Sequence, residues 1–198
     1  MSVTVATEPV LHLGPEDNGA LMSPAEFDAI ESAEEHYRYE LIHGVLVVSP
    51  PPGEWHREHI DRLGQLLRNY QDVHPDGAAL DRTLPENYVI VGDDRRVCDR
   101  AIWAGLGRQP DVVNDIPTIA IEIVSKGSAH RRRDFVEKAR EYPAAGVKEY
   151  WIIERFAQTM TVIFADGKQR VLKENEVYQT PLLPGFEFAL EDVFHDIT

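Results

Sequence analysis

One cysteine, Cys98, occurs in 198 residues. An internal disulfide is therefore excluded, and so is a structural zinc site built from thiolates. Such sparing use of cysteine fits a reducing cytoplasm, and a cytoplasmic location is expected. No apolar run approaches the roughly 18 residues of a membrane span. The opening stretch MSVTVATEPVLHLGPEDNG has neither a basic start nor a long apolar block, so it is not expected to act as a secretory signal. Positive charge is scarce too. Lys and Arg number 20 against 34 Asp and Glu, a net charge of −14, which argues against a broad basic footprint for nucleic acid. Several chemistries lack their motifs. There is no Walker A loop, GLG at 105–107 does not extend to GxGxxG, and no G-x-S-x-G elbow occurs.

What is present describes a packed globule, since 43% of residues are hydrophobic. Residues 1–22 mix Pro, Gly and acids without periodicity and read as a flexible acidic tail. Residues 23–198 read as a single domain, with no internal repeat and no low-complexity linker. In SPAEFDAIESAEEH, Ser23 caps a short helix, Pro24 takes its first position and Glu26 closes a capping box. YRYELIHGVLVVS reads as a hairpin turning at His43-Gly44. Residues 54–74 form a helix by period, with Ile60, Leu63, Leu66, Leu67 and Tyr70 on one face. PENYVIV, RVCDRAIWA, PTIAIEIVS, KEYWIIE and TMTVIFA read as strands. A helix over SAHRRRDFVEKAREYPAAG, capped by Ser128 and stopped by Gly146, links two of them. A strand–helix–strand unit inside a strand-rich chain predicts a mixed sheet, α/β or α+β.

One residue in this pattern is out of place. Glu122 sits within IAIEIVS, a run otherwise typical of a strand covered on both faces. A carboxylate there costs several kcal/mol unless it is paired or bound to a cation. A second acid, Asp99, lies in the strand-like VCDRAIW. Carboxylates on neighbouring strands can converge on a hard divalent ion, and Lys138 on the following helix can steady a phosphate or orient a water. Each residue also has a bland reading: a strand-edge acid for Asp99, a solvated helix lysine for Lys138. His56 and His59 stand i, i+3 on a helix without further soft ligands, and read as exposed histidines rather than metal ligands. The local charge over 125–140 is +4, six bases against two acids, so an anion site is conceivable in an acidic chain.

The stretches RYELIHGVLVVSPPPGEWHREHIDRLGQLL, VCDRAIW, IPTIAIEIVSKGS, RRRDFVEKAREYPAAGVKEYWIIE and LPGFEFAL resemble the Uma-type putative restriction endonucleases, in the PD-(D/E)XK nuclease superfamily. The resemblance covers roughly residues 23–194, with its landmarks in order. It implies a restriction-endonuclease-like mixed sheet flanked by helices, with additional hairpins. It also implies a Mg²⁺ or Mn²⁺ site hydrolysing phosphodiester bonds in DNA. Asp99 becomes the acid of the first element and Glu122 that of the second, with the carbonyl of Ile123 a third protein ligand. The lysine expected two residues after Glu122 is replaced by Val124, which makes Lys138 the candidate. Glu40 matches a recurrent glutamate and reads either as a further site group or as an exposed hairpin acid. Arg131, Arg132 and Arg133 become candidates for the nucleic-acid backbone, and a homodimer is expected from superfamily habit.

Three departures stand against this pattern. Cys98 replaces the usual proline before Asp99, Asp111 in QPD is a literal Pro-Asp rival, and Pro143 should end or kink its helix early. The alternative to a DNA endonuclease is a catalytically weak nuclease-fold module that binds nucleic acid or another partner.

Overall fold

The computed structural model describes residues 12–124 and 131–194. They divide into two units, one of residues up to 51 with 93–96 and one of 52–92 with residues from 97 onward, where the sequence suggests a single domain. Residues 12–22, expected within the tail, are folded in the first unit. Strand β1 (His12–Leu13) pairs in parallel with β2 (Ser32–Ala33), Leu13 is buried, and its carbonyl accepts from the Tyr39 hydroxyl at 3.2 Å. Between them lies α1 (Pro24–Asp28). Its capping box is formed: Ser23 Oγ accepts from Glu26 N and Ser23 N donates to the Glu26 carboxylate. Strands β3 (Arg38–Ile42) and β4 (Val45–Ser49) make the expected antiparallel hairpin. His43 and Gly44 both have positive φ, as a two-residue turn of this hand requires. Leu13, Phe27, Tyr39, Leu41 and Leu46 form this unit's core.

The second unit opens with α2 (Glu54–Val73), where the predicted face buries Ile60, Leu63, Leu67 and Tyr70. Strand β5 (Leu80–Val91) pairs with β6 (Asp94–Ala104), whose first three residues belong to the first unit. Strand β7 (Ile119–Ile123) runs antiparallel to β6 and parallel to β8 (Glu149–Glu154). Strands β9 (Thr159–Phe164) and β10 (Gln169–Lys173) continue the sheet in antiparallel fashion, so it is mixed. A separate pair, β11 (Val177–Gln179) and β12 (Glu187–Ala189), precedes a closing helix (Leu190–Phe194).

The helix between β7 and β8 enters the described chain at Arg131, and the Ser128 cap lies outside the described residues. It runs through a π-helical stretch, Arg133–Lys138, into an α-helix, Ala139–Ala145. Pro143 does not end it. The helix continues to Ala145 and stops at Gly146, whose φ of 111° is left-handed.

Alternation along β7 sends its residues to two cores. Ile119, Ile121 and Ile123 pack with α2, while Ala120 and Val124 pack with Tyr142 of the other helix. Glu122 shares the parity of Ala120 and Val124. The sheet is thus covered on both faces, as the continuous apolar run predicts. Among the described residues no helix is long and apolar enough to cross a membrane.

Candidate active site

The site forms where β6 and β7 part. Their ladder runs Ile102↔Ile119, Ala101↔Ala120 and Arg100↔Ile121. Beyond it, the Asp99 side chain takes over from the backbone: its Oδ2 accepts from Ile123 N at 2.7 Å. That bond holds the carboxylate against β7, beside the residue that follows Glu122. Lys138 reaches the same place from the π-helical turn. Its Nζ donates to Glu122 Oε1 at 2.6 Å and to the Val97 carbonyl at 2.7 Å. The Tyr142 hydroxyl stands 3.5 Å from both acceptors. A π-turn adds a residue to the helical circuit and often marks a functional position. Here it ends on the lysine that meets Glu122.

All three polar residues are buried: Asp99 is 1% exposed, Glu122 3% and Lys138 1%. Burial pushes the Glu122 carboxyl well above its ordinary range, against the attraction of the Lys138 ammonium, with Asp99 and Asp134 raising it further. Burial likewise raises the Cys98 thiol and, with help from Glu122, the Tyr150 hydroxyl. Buried acids gather here around a lysine. Two carboxylates of this kind are hard oxygen donors, and the donor set suits Mg²⁺ or Mn²⁺ rather than a soft ion.

The rival acid is elsewhere. Asp111 is exposed and caps a surface turn, its carboxylate accepting from Asn114 Nδ2 at 2.8 Å and Val113 N at 3.1 Å. Glu40 is not an exposed hairpin acid, for it is buried on β3 in the first unit. The three arginines differ in setting. Arg131 is ion-paired with Glu154 and lies over the Phe135 ring, 4.6 Å from its centroid. Arg133 is mostly covered, 3.7 Å from Asp134, whereas the Arg132 side chain is 78% exposed, 3.8 Å from Glu137.

The two histidines depart from the exposed pair expected. His59 is buried, edge-on to Phe194 with centroids 5.6 Å apart. The His56 side chain is 11% exposed and its Nε2 lies 2.8 Å from Asp99 Oδ2. A signal for this was present. His56 stands four residues before Ile60, on the same buried stripe of α2. Its polarity masked its place in the period.

A family model described as Uma2: Putative restriction endonuclease matches residues 24–191, most of the chain. The protein belongs to the Uma2 family. The Uma2 chain is also similar to a solved structure, that of a putative nuclease belonging to DUF820 from Anabaena variabilis ATCC 29413. The TM-score is 0.69 at 17% identity, over 87% of this chain and 97% of the other. At that identity the likeness establishes the fold alone, a mixed sheet flanked by helices. No curated protein matches the Uma2 chain.

Proposed function

We propose that this Uma2 protein is a divalent-metal-dependent endonuclease that hydrolyses phosphodiester bonds in DNA. The observation that carries the reading is the meeting of Glu122, Lys138 and Asp99, 16 to 39 residues apart in sequence, in one buried cluster at the strand fork.

Asp99 and Glu122 hold Mg²⁺ or Mn²⁺, with the Ile123 carbonyl as a third protein ligand. When bound, such an ion acidifies a water and balances charge on the attacked phosphate. The chain's own groups do the rest. The Ile123 N–H fixes the Asp99 carboxylate, so no reorganisation is needed when substrate arrives. Val97 and Glu122 anchor the Lys138 ammonium, which donates to the developing negative charge on the phosphate or orients the attacking water. The exposed Arg132 guanidinium contacts the phosphate backbone, and two copies of the chain supply one site for each strand.

The test uses supercoiled plasmid and Mn²⁺. Wild type nicks the plasmid, and Asp99→Ala and Glu122→Ala each lower the rate by about 10²-fold or more. Equal nicking by wild type and Glu122→Ala contradicts the mechanism. Wild type that neither nicks DNA nor binds Mn²⁺ points instead to a non-catalytic nuclease-fold module.

A further inference from the structure

Trp55 and His56 are neighbours in the first turn of α2 and have opposite surroundings. His56 is turned inward, its Nε2 at an ion-pair distance of 2.8 Å from Asp99 Oδ2. Trp55, one residue earlier, is 53% exposed. An indole is normally far better covered than that. The Arg155 guanidinium lies over its ring, 4.7 Å from the centroid. In a chain with 34 acids this arginine meets a ring rather than a carboxylate, and among the described residues it forms no ion pair. The sheet sets its place. Strand β8 runs parallel to β7 with Ile153 opposite Ile123, so Arg155 leaves the sheet at the strand ends that carry Glu122. The residue before it, Glu154, is ion-paired with Arg131, which lies over Phe135. The residue after it, Phe156, is 57% exposed. Basic and aromatic side chains are thus interleaved at the rim of the acidic cluster.

Interleaving of this kind suits a single strand of nucleic acid, whose bases stack on aromatic rings while its phosphates meet cations. A base inside a duplex has both faces covered by its neighbours and offers none to an indole. The guanidinium over the Trp55 ring stiffens it and brings a positive charge to the adjoining phosphate. The net charge of −14 gives no general attraction for a polyanion, whereas stacking supplies affinity that this charge does not oppose. We propose that Trp55, backed by Arg155, is a stacking platform for an unpaired base, and that the DNA taken by this site is single-stranded or locally opened. The proposal rests on the nuclease reading and deepens it by naming the substrate class.

Tryptophan fluorescence tests it on the full-length protein in EDTA, where the DNA stays intact. Trp103 and Trp151 are fully buried, which leaves Trp55 as the indole an oligonucleotide can reach. Oligo-dT is expected to quench the emission, and a blunt duplex of the same length to quench it far less. Trp55→Ala should abolish the quenching and, by anisotropy with labelled oligo-dT, weaken binding by about tenfold or more, while Trp55→Phe keeps most of the affinity. Circular dichroism confirms that the variants are folded. Arg155→Ala should reduce the salt slope for oligo-dT by about 0.7, one phosphate contact on a single strand, and an unchanged slope removes Arg155 from the platform. A duplex that quenches as strongly as oligo-dT, oligo-dT that does not quench, or Trp55→Ala that binds oligo-dT as tightly as wild type each overturns the proposal and leaves the metal site standing, since no metal is involved. Oligo-rU that binds more tightly than oligo-dT overturns the choice of DNA. Wild type that stacks oligo-dT on Trp55, yet neither nicks plasmid nor binds Mn²⁺, removes the nuclease reading and leaves the platform as the binding face of a non-catalytic module.

Discussion

Lys138 shows how the chain tolerates Glu122 in a strand that is otherwise apolar. The ammonium meets the carboxylate at 2.6 Å and is itself completed by the Val97 carbonyl. A buried pair of this kind adds little net stability, but removing one partner leaves a charge stranded and costs about 3–5 kcal/mol. Lys138→Met should therefore destabilise the metal-free protein by about that amount, measured by urea denaturation. The effect should depend on pH with a definite sign. Burial raises the Glu122 carboxyl above its ordinary value of 4.5. The folded state then holds the Glu122 proton more tightly than the unfolded state does. Ionising the group consequently costs stability as pH rises from about 4.5 upward. Without Lys138 that cost is uncompensated. The gap between Lys138→Met and wild type should be wide near pH ~7.5 and narrower near pH ~5, as folded Glu122 regains its proton. A gap of constant width would show that the ammonium is not what carries the Glu122 charge. Sequence alone made this residue the hardest to place. Its i, i+4 neighbour Asp134 offered a bland surface partner, and nothing local signals a π-turn.

At the scale of elements, what was legible was whatever depended on period and capping. The stripe Ile60, Leu63, Leu67 and Tyr70, the Ser23 capping box and the His43-Gly44 turn all formed as their local chemistry dictates. That Asp99 and Glu122 can converge from neighbouring strands was expected, but the fork at Asp99 was not legible, because the ladder register that makes it is a tertiary property. Leu13 was lost in the supposed tail for a similar reason. A two-residue strand has no period, and its pairing with β2 lies 20 residues away. Pro143 misled in the opposite direction. The helix survives it and ends two residues later at Ala145, where the left-handed backbone of Gly146 forces the stop. Arg100 of β6 clamps α2 by donating to the Ile60 carbonyl at 3.1 and 2.8 Å, a link invisible in the sequence, and it makes a testable case. Gly64 lies inside α2, where Gly→Ala ordinarily stabilises by about 1 kcal/mol. Here a Cβ would stand 2.4 Å from Arg100 Nη2 and 2.7 Å from its Cζ. Arg100 is buried and bonded to Ile60 and Thr83, so it cannot simply swing away. Gly64→Ala should destabilise by about 1–3 kcal/mol in thermal or urea unfolding. Stabilisation by Gly64→Ala would mean that the clamp is slack.

The charge of the whole molecule sets a problem that its local cations must solve. A net charge of −14 repels a polyanion, so DNA cannot be gathered by a broad field. On the proposed function, affinity for DNA would have to come from a few local contacts, each of which releases counterions. On that reading the three arginines would contribute unequally. Arg131 is ion-paired with Glu154 and stacked on Phe135, and Arg133 is largely covered beside Asp134. Arg132 extends furthest into solvent, and its neighbour Glu137 at 3.8 Å is a loose partner. An exposed pair of that kind is worth little and is readily exchanged for a phosphate. The measurement is DNA affinity as a function of salt, by fluorescence anisotropy on the Glu122→Ala background so that the DNA stays intact. A plot of log K against log salt should be shallow, and Arg132→Ala should reduce its slope by about 0.9, the value of one phosphate contact on B-DNA. Arg133→Ala should leave the slope unchanged, because its side chain is mostly covered beside Asp134. If both substitutions shift the slope equally, the triplet acts as a diffuse patch; if neither does, the phosphate backbone is gripped elsewhere on the chain.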